Sequence, residues 1–143
     1  MYQFNEEEYR KRMEWYVDAR FGMFLHWGLY AIPARGEWMR SFEKVTDEEY
    51  QKYFNEFNPV DYDPKKWARM AKEAGMKYMV LTAKHHDGFC LFDSQYTDFK
   101  ATNTKCGRDL IREYVDAVRG EGLKVGLYYS LIDWHHEDYP HFS

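Results

Sequence analysis

Five of the six histidines follow closely on short apolar runs: His26 after Phe21–Leu25, the adjacent His85-His86 after Met79–Thr82, and His135-His136 after Lys124–Ser130. Carboxylates and large rings accompany them. Trp27 stands beside His26, Glu37-Trp38 follow ten residues later, Lys84 and Asp87 flank the first pair, and Tyr128, Tyr129, Asp133 and Trp134 precede the second. Imidazoles beside carboxylates can hold a divalent metal, but neighbours such as His85 and His86 point to opposite sides of an extended strand, so at best one of each pair could ligate. Imidazole, indole and phenol groups around a pocket floor can instead hydrogen-bond the hydroxyls of a small sugar while a ring packs on its apolar face. Sugar binding suits this inventory better, and neither metal nor cofactor is expected. Plainer roles exist for each group. A strand-end histidine often only ties a loop down, Asp87 before Gly88 could cap a turn, and Asp133 could pair with a nearby histidine.

These groups need elements that end where they stand. A first helix is predicted over Asn5–Ala19, with a capping box from Asn5 and Glu8 and a face of Tyr9, Met13, Tyr16 and Val17. Phe21–Trp27 reads as a buried strand, and a long irregular stretch with Pro33, Gly36, Glu37 and Trp38 follows it. A capping box at Thr46 and Glu49 opens a second helix, with Tyr50, Tyr53, Phe54 and Phe57 on one face and Asn58-Pro59 as its stop. Asp63-Pro64 opens a third, whose buried side is expected to be Trp67, Met70, Ala71 and Ala74. Lys77–Thr82 is the second strand. A helix with Leu110, Ile111, Tyr114, Val115 and Val118 inward leads to the third strand, Lys124–Ser130. Strand and helix in alternation, each strand breaking into a polar loop, is the pattern of parallel βα units, whose ligands bind at the carboxyl ends of the strands.

Composition narrows the partners. Lys+Arg 20 against Asp+Glu 24 gives a net charge of -4 with both signs mixed, which offers no basic stripe to nucleic acid. The apolar runs fall far short of the ~20 residues that cross a bilayer, and the first residues have neither a basic start nor an apolar stretch. Two cysteines, Cys90 and Cys106, form no CxxC pair, so a cytoplasmic, reducing location is expected. The 143 residues read as one domain, below the roughly 200 of a complete eight-fold barrel. Aromatic residues make up 20% of the chain, enough to build both a core and a ring-lined pocket.

Phe21–Gly28 with Tyr30 and Pro33, Glu37-Trp38, the run Ala74–Phe89 with its Lys-His-His-Asp-Gly-Phe core, Arg108-Asp109-Leu110 and Gly126–Ser130 resemble, in order and spacing, the retaining α-L-fucosidases of glycoside hydrolase family 29. The resemblance covers nearly the whole chain. It implies an α/β fold, the first three βα units of an irregular (β/α)8-like barrel. It also implies a fucosylated saccharide as substrate, with His26, Glu37, Trp38, His85 and His86 lining the pocket and a tyrosine from Tyr128-Tyr129 beside them. Alternation along a strand lets only one of those tyrosines face the pocket, and Tyr128 is the choice here. The family's nucleophile lies at the end of strand four and its acid/base residue later still, beyond what this chain contains. Retaining glycosidases need two carboxyl groups about 5 Å apart, so the candidates within the chain are Asp133 or Asp87 as attacking group and Glu37 as proton donor. Three strands of a barrel expose unpaired edges and an apolar face, so a homo-oligomer is expected. A non-catalytic fucose-binding or remnant module is the alternative, and a metal-dependent hydrolase a more distant one.

Overall fold

The computed structural model describes residues 3–140. Among them, β1 (Gly22–Leu25), β2 (Tyr78–Lys84) and β3 (Lys124–Tyr129) form one sheet, all parallel, in the order β1-β2-β3. The helices are α1 (Glu6–Ala19), α2 (Met39–Phe42), α3 (Asp47–Glu56), α4 (Pro64–Glu73) and α5 (Leu110–Gly120). Phe24, Val80 and Gly126 share one cross-strand row, and Leu25, Leu81 and Leu127 the next. Alternation therefore sends Met79, Leu81 and Ala83 to one side, where they are buried in a core with Ala68 and Ala71 of α4 and Leu110, Ile111, Tyr114 and Val118 of α5. Each fully buried Leu or Met there contributes about 1.5–3 kcal/mol. The opposite side is open: Phe24 is 52% exposed, and a groove along it runs past Val80, Gly126 and the Trp15 and Tyr16 rings of α1.

Local chemistry explains where the helices begin. The Thr46 hydroxyl accepts from the Glu49 amide while the Glu49 carboxylate accepts from the Thr46 amide, a complete capping box. The Asp63 and Asp109 carboxylates accept from the Lys66 and Arg112 amides, and Pro64 occupies the first position of α4, where its missing N–H is no loss.

Three expectations change. The first strand is shorter than Phe21–Trp27 because the Thr82 hydroxyl accepts from the Trp27 amide at 3.0 Å and donates to the Trp27 carbonyl at 2.8 Å, replacing ladder bonds with a side chain. The chain leaves the sheet there. On α4 the buried stripe is Pro64, Ala68 and Ala71, with Trp67 half-buried at its border and Met70 54% exposed, because small residues let α4 approach the sheet and α5 closely. On α1 no residue is buried, and the rings that touch the sheet are Trp15 and Tyr16, both against Tyr78. Among the described residues, no helix is long and apolar enough to cross a membrane.

Candidate functional site

The three strands deliver their rings to one place. His26 stands just beyond β1, His85 and His86 just beyond β2, and Tyr128 near the end of β3. Ring centroids are 5.4 Å apart for His26 and His85, 5.8 Å for His26 and Tyr128, 5.7 Å for His85 and Tyr128, and 4.2 Å for His85 and His86. Both members of the histidine pair thus join the same cluster, contrary to the expectation that they point apart. The register shifts between Thr82 and Lys84 and the strand ends at Lys84, so extended alternation does not reach the pair. Trp38 closes one side, 4.9 Å from His86 and 5.3 Å from Trp134. Tyr128 belongs to the cluster. Tyr129 does not: it is 55% exposed and lies under the Lys84 ammonium on the other side of the strand. Among the described residues, no group of three or more His, Cys, Asp or Glu side chains is arranged to hold a metal ion.

The candidate carboxylates occupy different environments. Asp87 is only 1% exposed; it accepts from the Tyr50 hydroxyl at 2.8 Å and from the Phe89 amide at 3.2 Å. Sealed in this way, it cannot approach a sugar carbon. Its place as an attacking group is corrected to that of a strut holding the loop after β2. Asp133 is partly exposed, ion-paired with Lys84 at 3.0 Å and hydrogen-bonded to the His135 amide. Glu37 is half-buried, and its charge favours protonation of both His85 and His86.

Burial overrides that charge. Desolvation, reinforced by His86 and His26, pushes His85 down from 6.5 to about 4, and desolvation with the Lys84 ammonium also lowers His86. Both rings are therefore neutral at pH 7, able to donate and to accept. Between pH 6.5 and about 4 the unfolded chain holds a proton that folded His85 refuses, so this stabilisation is complete above 6.5 and lost as the pH falls toward 4. Asp87, raised by burial from 3.8 to about 6, acts oppositely and gains stability below 6, so the net slope is shallow. The ring itself should titrate with a midpoint near 4 by NMR; a midpoint at the ordinary 6.5 would contradict this environment.

The Alpha-L-fucosidase family profile matches residues 1–142. The chain belongs to the α-L-fucosidase family. It is 34% identical to the tissue alpha-L-fucosidase of Mus musculus over 142 residues, which covers 87% of this chain and 31% of that protein. Alpha-L-fucosidase isoenzyme 1 from Paenibacillus thiaminolyticus superposes with a TM-score of 0.90 at 72% identity, over 92% of this chain and 31% of the other. An α-L-fucosidase from Bacteroides thetaiotaomicron, solved as a trapped covalent intermediate with 2-fluoro-fucosyl fluoride, gives a TM-score of 0.85 at 45% identity, over 90% of this chain and 32% of the other. The chain thus spans about a third of the length of these relatives.

The runs Phe21–Gly28, Lys84–Phe89 and Gly126–Ser130, on which the resemblance to α-L-fucosidases rests, contain the three strand ends of the cluster. Two rings noted in the sequence but not assigned to the pocket complete it. Tyr30 packs 5.2 Å from His85 and is hydrogen-bonded to Thr82, and Trp134 packs on His86 while its amide donates to the His86 carbonyl at 2.7 Å. Tyr30 stands two residues beyond the Phe21–Gly28 run and Trp134 beside His135, which were the available signals; nothing in the sequence marks Thr82. Gly88 has φ +83, and a Cβ there would meet the Asp133 carboxylate and His135. Gly88→Ala should lower stability by about 1–3 kcal/mol in urea unfolding, whereas an unchanged midpoint would show that the Asp133 loop is free to move aside.

Proposed function

We propose that this chain forms the sugar-gripping part of an α-L-fucosidase-type glycoside hydrolase that cleaves terminal α-L-fucosides with retention of configuration. The observation that carries this assignment is the convergence of His26, His85, His86, Trp38 and Tyr128 at the carboxyl ends of three parallel strands. Neutral imidazoles suit sugar hydroxyls, and the aromatic walls suit the apolar methyl group of a deoxy-hexose. Retention is supported by the covalent intermediate trapped in the Bacteroides relative, since a glycosyl-enzyme intermediate belongs to the retaining route. In this assignment Asp133 is the attacking carboxylate available within the chain and Glu37 the proton donor; Asp133→Asn with full activity would remove Asp133 from that role. Two free thiols, Cys90 buried and Cys106 half-buried, go with a reducing, cytoplasmic setting.

Self-association is part of the proposal. Among the described residues the outer edges of β1 and β3 are unpaired, and Phe24, Leu127 and Tyr129 stand 52%, 48% and 55% exposed. Further copies would cover them. Light scattering should find an oligomer, and a monodisperse folded monomer would contradict it. Activity is tested by incubating the protein with an aryl α-L-fucoside: phenol release above a His85→Ala, His86→Ala control supports the hydrolase. Fucose binding without release favours the second possibility, a binding module, a reading that the sealed position of Asp87 supports.

A further inference from the structure

We propose that Ser130 is a positioning residue: it holds His86 in the Nδ1–H form and leaves Nε2 as a hydrogen-bond acceptor for a hydroxyl of the bound sugar. The inference rests on the fucose assignment only for the identity of that sugar. Ser130 is 3% exposed, and its Oγ lies 2.6 Å from His86 Nδ1 and 2.7 Å from the Ile132 carbonyl oxygen. A carbonyl can only accept, and a serine hydroxyl has one proton. That proton therefore goes to Ile132, and Oγ meets Nδ1 with a lone pair. At 2.6 Å two facing lone pairs would repel, so Nδ1 must carry the hydrogen. The chain of bonds runs from His86 Nδ1–H to Ser130 Oγ–H to the Ile132 carbonyl.

The other nitrogen follows from neutrality. His86 is faced by Lys84 and His85 next to it in the chain, by His26 at the end of β1, by Glu37 and Trp38 from the segment after β1, and by Tyr128 and Trp134 from the third strand and its loop. Lys84 is fixed nearby by its bonds to the Ser130 and Ile132 carbonyls and to Asp133. Burial and this ammonium keep the ring uncharged at pH 7. A neutral imidazole protonated at Nδ1 is bare at Nε2, which makes no hydrogen bond among the described residues. Free histidine prefers the other tautomer, so the sequence distance of 44 residues between His86 and Ser130 is bridged to set a hydrogen-bond polarity that His86 would not adopt alone.

Long-range ¹⁵N–¹H NMR of the 143-residue chain at pH 7 tests this without any sugar. His86 is expected to show a protonated Nδ1 and an unprotonated Nε2; an Nε2-protonated or exchange-averaged ring overturns the proposal. Ser130→Ala should shift the ring toward Nε2–H and weaken L-fucose binding about three- to tenfold, while Ser130→Thr, which keeps the hydroxyl, should restore the wild-type ring pattern. A ring in the expected form in a protein that fucose does not perturb would defeat the sugar assignment and leave the role of Ser130 standing.

Discussion

Replacing Arg40 with methionine is expected to lower the unfolding free energy by about 3–5 kcal/mol, the range for removing one partner of a buried charge cluster. Arg40 is 2% exposed, and its guanidinium lies over the Tyr50 ring at 4.9 Å and pairs with Asp47. It also reaches the carbonyls of Asp87 and Trp134, each at 3.4 Å, so it ties the loop after β2 to the loop after β3. Its charge opposes the upward push that burial exerts on Asp87. Without it, the Asp87 carboxylate keeps only the Tyr50 hydroxyl and the Phe89 amide and is driven further toward its protonated form. Arg40→Met with Asp87→Asn should recover part of the loss, because the second change removes the unpaired charge. Urea unfolding at pH 7 measures both; a loss below about 1 kcal/mol for the single variant would show that the cluster is not held by charge.

His85→Ala is expected to weaken L-fucose binding about tenfold or more, equivalent to one well-placed hydrogen bond and its supporting packing. His85 is 4% exposed, with Tyr30, His26, His86 and Tyr128 around it, so it forms the floor of the cluster and its loss leaves a cavity where rings now touch. Trp38→Ala removes a wall that is already 37% exposed, and should affect affinity while sparing stability. Calorimetric titration separates the two effects. Unchanged affinity in His85→Ala would place the sugar elsewhere.

Much of this fold was legible in the sequence because each element carried its own local chemistry. Thr46 with Glu49 and Asp63 with Pro64 mark helix starts, and the strand-forming runs before His26, His85 and Tyr128 mark the strands. What escaped was set by distant partners. The early end of β1 depends on a threonine 55 residues away, a bond that no periodicity near Trp27 could reveal. The shared direction of His85 and His86 depends on a register shift against β3. Asp87 has the residue type of a catalytic group, and only the packing of Tyr50 and Arg40 around it shows that it is sealed. The convergence of His26, His85, His86 and Tyr128 was readable from their common position at strand ends; the burial of Asp87 was not, because burial is a property of the assembled chain.

The most direct measurement is an L-fucose titration of the protein followed by NMR at the side chains of His26, Trp38, His85, His86 and Tyr128. Saturable shifts in these rings, with the distant Tyr62 and Tyr114 unmoved, are the expected result. Shifts that are absent, or that fall on other surfaces of the molecule, would contradict a fucose site at the strand ends.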